Sequence, residues 1–124
     1  MNSKKVLIVE DNEDTRRIYA LVLEHFGYEA HEAVHGGEGV EAARRLGPDL
    51  ILMDLSMPIM DGWQANEALK SEARTASIPV VMVTAHGGTV TPDEALRAGF
   101  AGFLPKPIDT RRLVQEVERL IGRP

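Results

Sequence analysis

Four places along the chain put reactive side chains directly after apolar runs. Glu10 and Asp11 follow "KKVLIV", Asp54 ends "LILMD", Thr84 ends "VVMVT", and Lys106 follows "FLP". A buried strand ending in an unpaired carboxylate is costly, so these acids need partners. Two carboxylates about 5 Å apart repel by roughly 3 kcal/mol at an effective dielectric near 20. Were the four places to meet, three carboxylates would face one lysine, and the excess negative charge would call for a hard divalent cation. Magnesium takes about six oxygens, one or two from carboxylates, with water and phosphate oxygens completing the shell. A carboxylate nucleophile beside such a cation suits phosphoryl transfer, with Asp54 attacking and the cation and Lys106 offsetting charge on the moving group.

Whether they meet depends on the elements that carry them. Strand patterns are expected at 4–10, 28–33, 48–54 and 78–85, with a short strand inside 100–107. Helical spacing falls between them, at 12–27, 36–47, 62–73, 91–99 and 109–122. In the first helix the apolar stripe reads as Ile18, Leu21, Val22 and Phe26, with Gly27 as the stop. In the fourth, Thr91, Pro92 and Glu94 resemble a capping box with proline in the first turn. The last helix opens at Asp109 and carries Leu113, Val114, Val117, Leu120 and Ile121 on one side.

The strands at 4–10, 48–54 and 78–85 are apolar nearly throughout, as strands covered on both faces are. The strand at 28–33 alternates weakly and belongs at an edge. Strand–helix alternation with right-handed crossovers predicts an α/β, doubly wound (βα)5 fold, a flavodoxin-like three-layer sandwich with parallel order 2-1-3-4-5. All carboxyl ends of a parallel sheet lie along one edge. Strands one and three are neighbours in this order, and the winding direction reverses between them. The crevice opened there should collect Glu10, Asp11, Asp54, Thr84 and Lys106.

Composition narrows the classes. The 124 residues make one domain, with a core large enough to fold without disulfides or structural metal. Cysteine is absent, which removes thiolate chemistry and fits a reducing compartment. No apolar run resembles a signal peptide or a membrane span, so a cytoplasmic protein without membrane contact is expected. The net charge of −5 argues against direct nucleic-acid binding. The pairs Lys4-Lys5, Arg16-Arg17, Arg44-Arg45 and Arg111-Arg112 read as solvated helix ends, and His25, His31 and His35 as surface residues.

The motifs "VLIVEDN" (6–12), "DLILMDLSMPIMDG" (49–62), "VVMVTA" (80–85) and "FLPKPI" (103–108), in this order and each at a strand end, closely resemble the receiver domain of two-component response regulators, the chemotaxis-protein-Y-like family. The resemblance spans the chain and implies that Asp54 accepts a phosphoryl group from a sensor histidine kinase or a histidine phosphotransfer protein. It implies Mg²⁺ as cofactor, with Mn²⁺ as a possible substitute, ligated by Asp11, Asp54 and the backbone carbonyl of Ser56, with Glu10 acting through water. Thr84 and Lys106 would grip the phosphoryl oxygens. Thr84 and Phe103 would form a switch acting on the face of helix four, strand five and helix five, toward a downstream protein not named by the sequence. Ser56 and His86 occupy positions that tune hydrolysis, the Lys106–Pro107 bond is expected to be cis, and Gly87-Gly88 would make the loop before helix four pliable. Glu10 stands where aspartate is commoner.

No output domain follows residue 124, so a single-domain receiver over 1–124 is expected, a signalling switch rather than a turnover enzyme. A chain excised from a hybrid kinase is the other reading of its length. An aspartate-nucleophile phosphohydrolase would want a second aspartate at position 56, where Ser56 stands. A nucleotide- or flavin-binding module would want a glycine-rich loop after the first strand, where "EDNED" stands instead. A pseudo-receiver that only scaffolds partners keeps the same architecture without the chemistry.

Overall fold

In a computed structural model, which describes residues 3–55, 62–84 and 90–124, five strands and five helices alternate. The strands are β1 (Lys5–Val9), β2 (Glu29–Ala33), β3 (Leu50–Asp54), β4 (Val80–Thr84) and β5 (Gly102–Pro105). The helices are α1 (Glu13–His25), α2 (Gly36–Leu46), α3 (Gly62–Lys70), α4 (Pro92–Arg97) and α5 (Thr110–Ile121). The sheet runs β2-β1-β3-β4-β5 and every pairing is parallel. The expected order is therefore the observed one, and β2 lies at an edge.

Side-chain alternation splits the sheet into two cores. Leu7, Val9, Ile51, Met53, Val80 and Met82 pack under α2, α3 and α4. Val6, Ile8, Leu50, Leu52, Val81 and Leu104 pack under α1 and α5. This is why the central strands are apolar on both faces. The α5 stripe is as expected: Leu113, Val114 and Val117 are buried, and Leu120 and Ile121 pack against the same core.

Three local expectations change. α1 buries Tyr19, Ala20 and Leu23, and of the expected stripe Val22 packs against the same core, whereas Ile18, Leu21 and Phe26 are 51%, 55% and 52% exposed. The competing helical repeat 16-19-20-23 has won, and it begins with Arg16. That arginine can face inward because Nε donates to Glu32 Oε1 at 2.9 Å and Nη1 to the Glu10 carbonyl at 3.0 Å. α3 ends at Lys70 rather than 73, where the buried Thr75 hydroxyl donates to the Leu69 carbonyl at 2.7 Å and Lys70 Nζ reaches the Ile78 carbonyl at 3.0 Å. α4 is shorter than 91–99: Thr91 caps it, accepting from the Glu94 amide at 3.2 Å, and Gly99 turns away at φ 92°.

Several charged residues are not the solvated ends expected of them. Arg16 bridges α1 to β2, and Arg44 donates to Glu72 at 2.8 Å, joining α2 to the turn after α3. Lys4 Nζ donates to the Ile121 carbonyl and Lys5 Nζ to that of Leu46. His35 is the N-cap of α2, its Nδ1 accepting from the Glu38 amide at 3.2 Å while Glu38 Oε1 accepts from the Val34 amide at 3.0 Å.

Candidate functional site

The site lies where β1, β3 and β5 end. Glu10, Asp54 and Lys106 share strand parity with the core residues beneath α1 and α5 (Ile8, Leu52 and Leu104), so all three point toward one side of the sheet. Ligand atoms of Glu10, Asp11 and Asp54 lie within 4.8 Å of one another. Glu10 and Asp54 are almost wholly buried, at 2% and 1% exposure, while Asp11 is exposed at the mouth. Lys106 Nζ sits between the two buried acids, 2.8 Å from Glu10 Oε1 and 3.2 Å from Asp54 Oδ2.

The backbone fixes these side chains. The Lys106 amide donates to the Thr84 carbonyl at 2.7 Å, tying the end of β5 to the end of β4. The Lys106–Pro107 peptide is cis, as expected. The Glu10 amide donates to the Ala33 carbonyl at 3.1 Å, and Glu10 Oε2 accepts from the Asn12 amide at 3.0 Å. Asn12 in turn caps α1, its Oδ1 accepting from the Thr15 amide at 2.9 Å. Beneath Asp54, α3 begins very close: a Cβ on Gly62 would stand 2.8 Å from the Asp54 carbonyl oxygen. Only glycine fits there without a backbone shift.

Electrostatics follow from this crowding. Burial pushes the Glu10 carboxyl up to about 7, and the charge of Asp54 adds to that, against the opposing hydrogen bonds from Lys106 and Asn12. Burial works against the Lys106 ammonium, but Glu10 and Asp54 outweigh it and its pKa is raised. Glu10 Oε1 contacts Lys106 but has no hydrogen bond of good geometry, although it is buried. A buried carboxylate oxygen with unused acceptor capacity, two more acids within reach and an all-oxygen donor set fit a hard cation such as Mg²⁺.

Thr84, 7% exposed, follows the parity of Met82, on the side of the sheet under α3 and α4. Phe103 pairs with Met82 across β4 and β5 and packs, half-buried, against that same core. The two expected switch residues thus share a face opposite Glu10 and Lys106. Ser56, His86 and Gly87-Gly88 lie outside the described residues. Tyr19 was not singled out in the sequence. Its buried hydroxyl feels Lys106, Glu10 and Asp54, and burial with those acids raises its pKa against the lysine. With Thr15, Ile18, Pro107 and Ile108 it lines a groove that runs up to Lys106. Its place follows from which face of α1 turns inward, and the sequence pattern favoured the other face.

Residues 6–118 match the response regulator receiver domain family. The chain belongs to that family. Protein PilH of Pseudomonas aeruginosa is 33% identical over 118 residues, covering 95% of this chain and 98% of PilH. The DNA-binding dual master transcriptional regulator RpaA of Synechocystis is 34% identical over 119 residues, and this chain spans 49% of its length. Among solved structures, the receiver domain of a sensor histidine kinase from Pseudomonas aeruginosa superimposes with a TM-score of 0.88 at 28% identity, covering 98% of this chain and 99% of that one. That structure holds a magnesium ion coordinated in its active-site cleft. Among the described residues of this receiver domain, no helix is long and apolar enough to cross a membrane.

Proposed function

We propose that this receiver domain is a Mg²⁺-dependent phosphoacceptor switch in which Asp54 takes a phosphoryl group from a phosphohistidine on a sensor kinase or phosphotransfer protein. The observation that carries this reading is the meeting of Glu10, Asp11, Asp54 and Lys106 Nζ at one sheet edge. In the transfer, the phosphorus–nitrogen bond of the donor breaks, a bond from phosphorus to an Asp54 carboxylate oxygen forms, and the donor ring, already protonated on its other nitrogen, departs as neutral imidazole. Asp11 and Asp54 would hold the cation, with Glu10 acting through water, and the bound cation would supply charge compensation; the Ser56 carbonyl expected as a further ligand lies outside the described residues. Lys106, held protonated by its acidic neighbours, meets the phosphoryl oxygens. The assignment is a signalling module and not a turnover enzyme.

The modification adds roughly −1.5 to −2 charges at the site. Thr84 is drawn toward them and Phe103 turns into the vacated space, changing the surface of α4, β5 and α5. α4 suits this role because only Ala95 of its six residues is buried. The donor must cover the mouth of the pocket to reach Asp54, and α1 forms one wall of that mouth. Exposed Ile18 and Leu21 therefore offer the donor protein an apolar footing.

Incubation with a small phosphodonor and Mg²⁺, followed by intact mass, tests the reading. One phosphoryl group should appear on the native chain and none on Asp54→Asn. An unchanged native mass would overturn it. Thr84→Ala should accept phosphate but lose phosphorylation-dependent binding of the downstream partner.

A further inference from the structure

Arg16 is the least expected inward-facing cation near the site. Its side chain is 11% exposed, yet it stands on a helix whose outward residues include two large apolar side chains. Its guanidinium joins two things: Nη1 donates to the Glu10 carbonyl at 3.0 Å, and Nε donates to Glu32 Oε1 at 2.9 Å. Glu32 is itself gripped from the other side by Arg17 at 2.7 Å. Burial opposes ionisation of Glu32, but the hydrogen bonds from Arg17 and Arg16 win and hold its pKa low, so the carboxylate stays charged and the clamp closed.

The Glu10 carbonyl belongs to the same rigid peptide plane as the Asp11 amide. Arg16 holds the carbonyl of that plane, and Ala33 holds the Glu10 amide in the peptide plane before it, so the backbone is pinned on both sides of the Glu10 Cα. Asp11 is the exposed member of the acid cluster and has no burial to orient it. We infer that Arg16, anchored by Glu32, is a positioning residue that aims Asp11 at Asp54 by fixing the Glu10–Asp11 peptide plane. This rests on the pocket being a cation site. Lysine cannot replace the fork, because one ammonium reaches the carbonyl or the carboxylate but not both in this geometry.

Calorimetric titration of the full chain with MgCl₂ tests the role, with urea unfolding alongside. Arg16→Met should raise the Mg²⁺ dissociation constant about tenfold, while phosphorylation at saturating Mg²⁺ stays near the native rate. Arg16→Lys should fall between, with a rise of about threefold. Glu32→Gln loosens the clamp without removing the arginine and should also weaken Mg²⁺ binding, which keeps the test open if Arg16→Met fails to fold. A purely structural tie of α1 to β2 would lower the urea midpoint and leave the dissociation constant within twofold in all three folded variants; that result overturns the positioning role. If the native chain binds Mg²⁺ and becomes phosphorylated while the variants bind equally well, only this inference fails. If the native chain takes up no Mg²⁺, the phosphoacceptor reading fails with it.

Discussion

α1 and α5 lie side by side on one face of the sheet, yet they are held by different forces. α5 is held by apolar area: Leu113, Val114 and Val117 point inward, and its outer face is polar. α1 also buries three residues, Tyr19, Ala20 and Leu23, and adds the charged clamp of Arg16 on Glu32 and Glu10. It also turns Ile18 and Leu21 out to solvent. A helix that relies on area alone cannot leave such side chains outside without loss. A helix partly fixed by directional hydrogen bonds can, and its outer face becomes free for a partner. α1 borders Lys106, so on the proposed phosphoacceptor reading its free face is where the phosphoryl donor would sit.

The largest effect should come from the apolar side of this contrast. Leu113→Ala removes a fully buried side chain from α5 and should cost about 2–5 kcal/mol in urea unfolding. Mg²⁺ affinity of the folded fraction should stay native, because α5 contributes no ligand. A matched loss of Mg²⁺ affinity would mean that the two helices are less independent than their anchoring suggests.

The next effect belongs to the root of α1. Glu10 ionises in the fold only near pH 7, against an ordinary carboxyl at 4.5. Glu10 therefore holds its proton in the folded chain after losing it in the unfolded one, and its own contribution to stability should fall as pH rises from about 4.5 to about 7. Saturating Mg²⁺ favours the ionised carboxylate and should flatten or reverse the slope, and Glu10→Gln should remove the contribution. Urea midpoints across that pH range, with and without Mg²⁺, measure it; a Mg²⁺-independent slope would separate Glu10 from the cation pocket.

These two helices also show what the amino-acid pattern can carry. The α5 stripe was legible because every inward position is apolar and every alternative face is charged. In α1 two faces were equally periodic, 18-21-22-26 and 16-19-20-23, and apolarity favoured the first, of which only Val22 packs against the core. The arbiter was Arg16, whose burial depends on Glu32 arriving from β2, a contact that no local spacing encodes. Tyr19 was missed as a site neighbour for the same reason. His35 and Thr75 were missed because a cap is set by the backbone groups left over at a helix end, and these depend on where the helix stops. The acids and Lys106 were legible because parallel strands send all their carboxyl ends to one edge, so identity and order along the chain sufficed.

The smaller predictions probe the outer face of α1. Ile18→Glu places a charge beside the groove at Lys106 and should slow transfer from a phosphohistidine protein about tenfold, or about 1.4 kcal/mol. Phosphorylation by a small donor should remain native, because that reagent needs no footing. Equal slowing with both donors would move the effect from docking to the pocket itself.

Leu21→Ala gives the finest discrimination. Leu21 lies one turn from Ile18 and is more than half exposed. If solvent is its only environment, truncation changes stability by no more than about 0.5 kcal/mol, and the helix-favouring alanine can offset even that. If the donor protein covers it, truncation removes buried apolar surface from the complex alone, and transfer should slow by a few-fold at subsaturating donor and recover at saturation. The urea midpoint and the donor-concentration dependence of transfer report these two quantities separately. A destabilised protein with native transfer would return Leu21 to the fold, and the contrast between α1 and α5 would then rest on the Arg16 clamp alone.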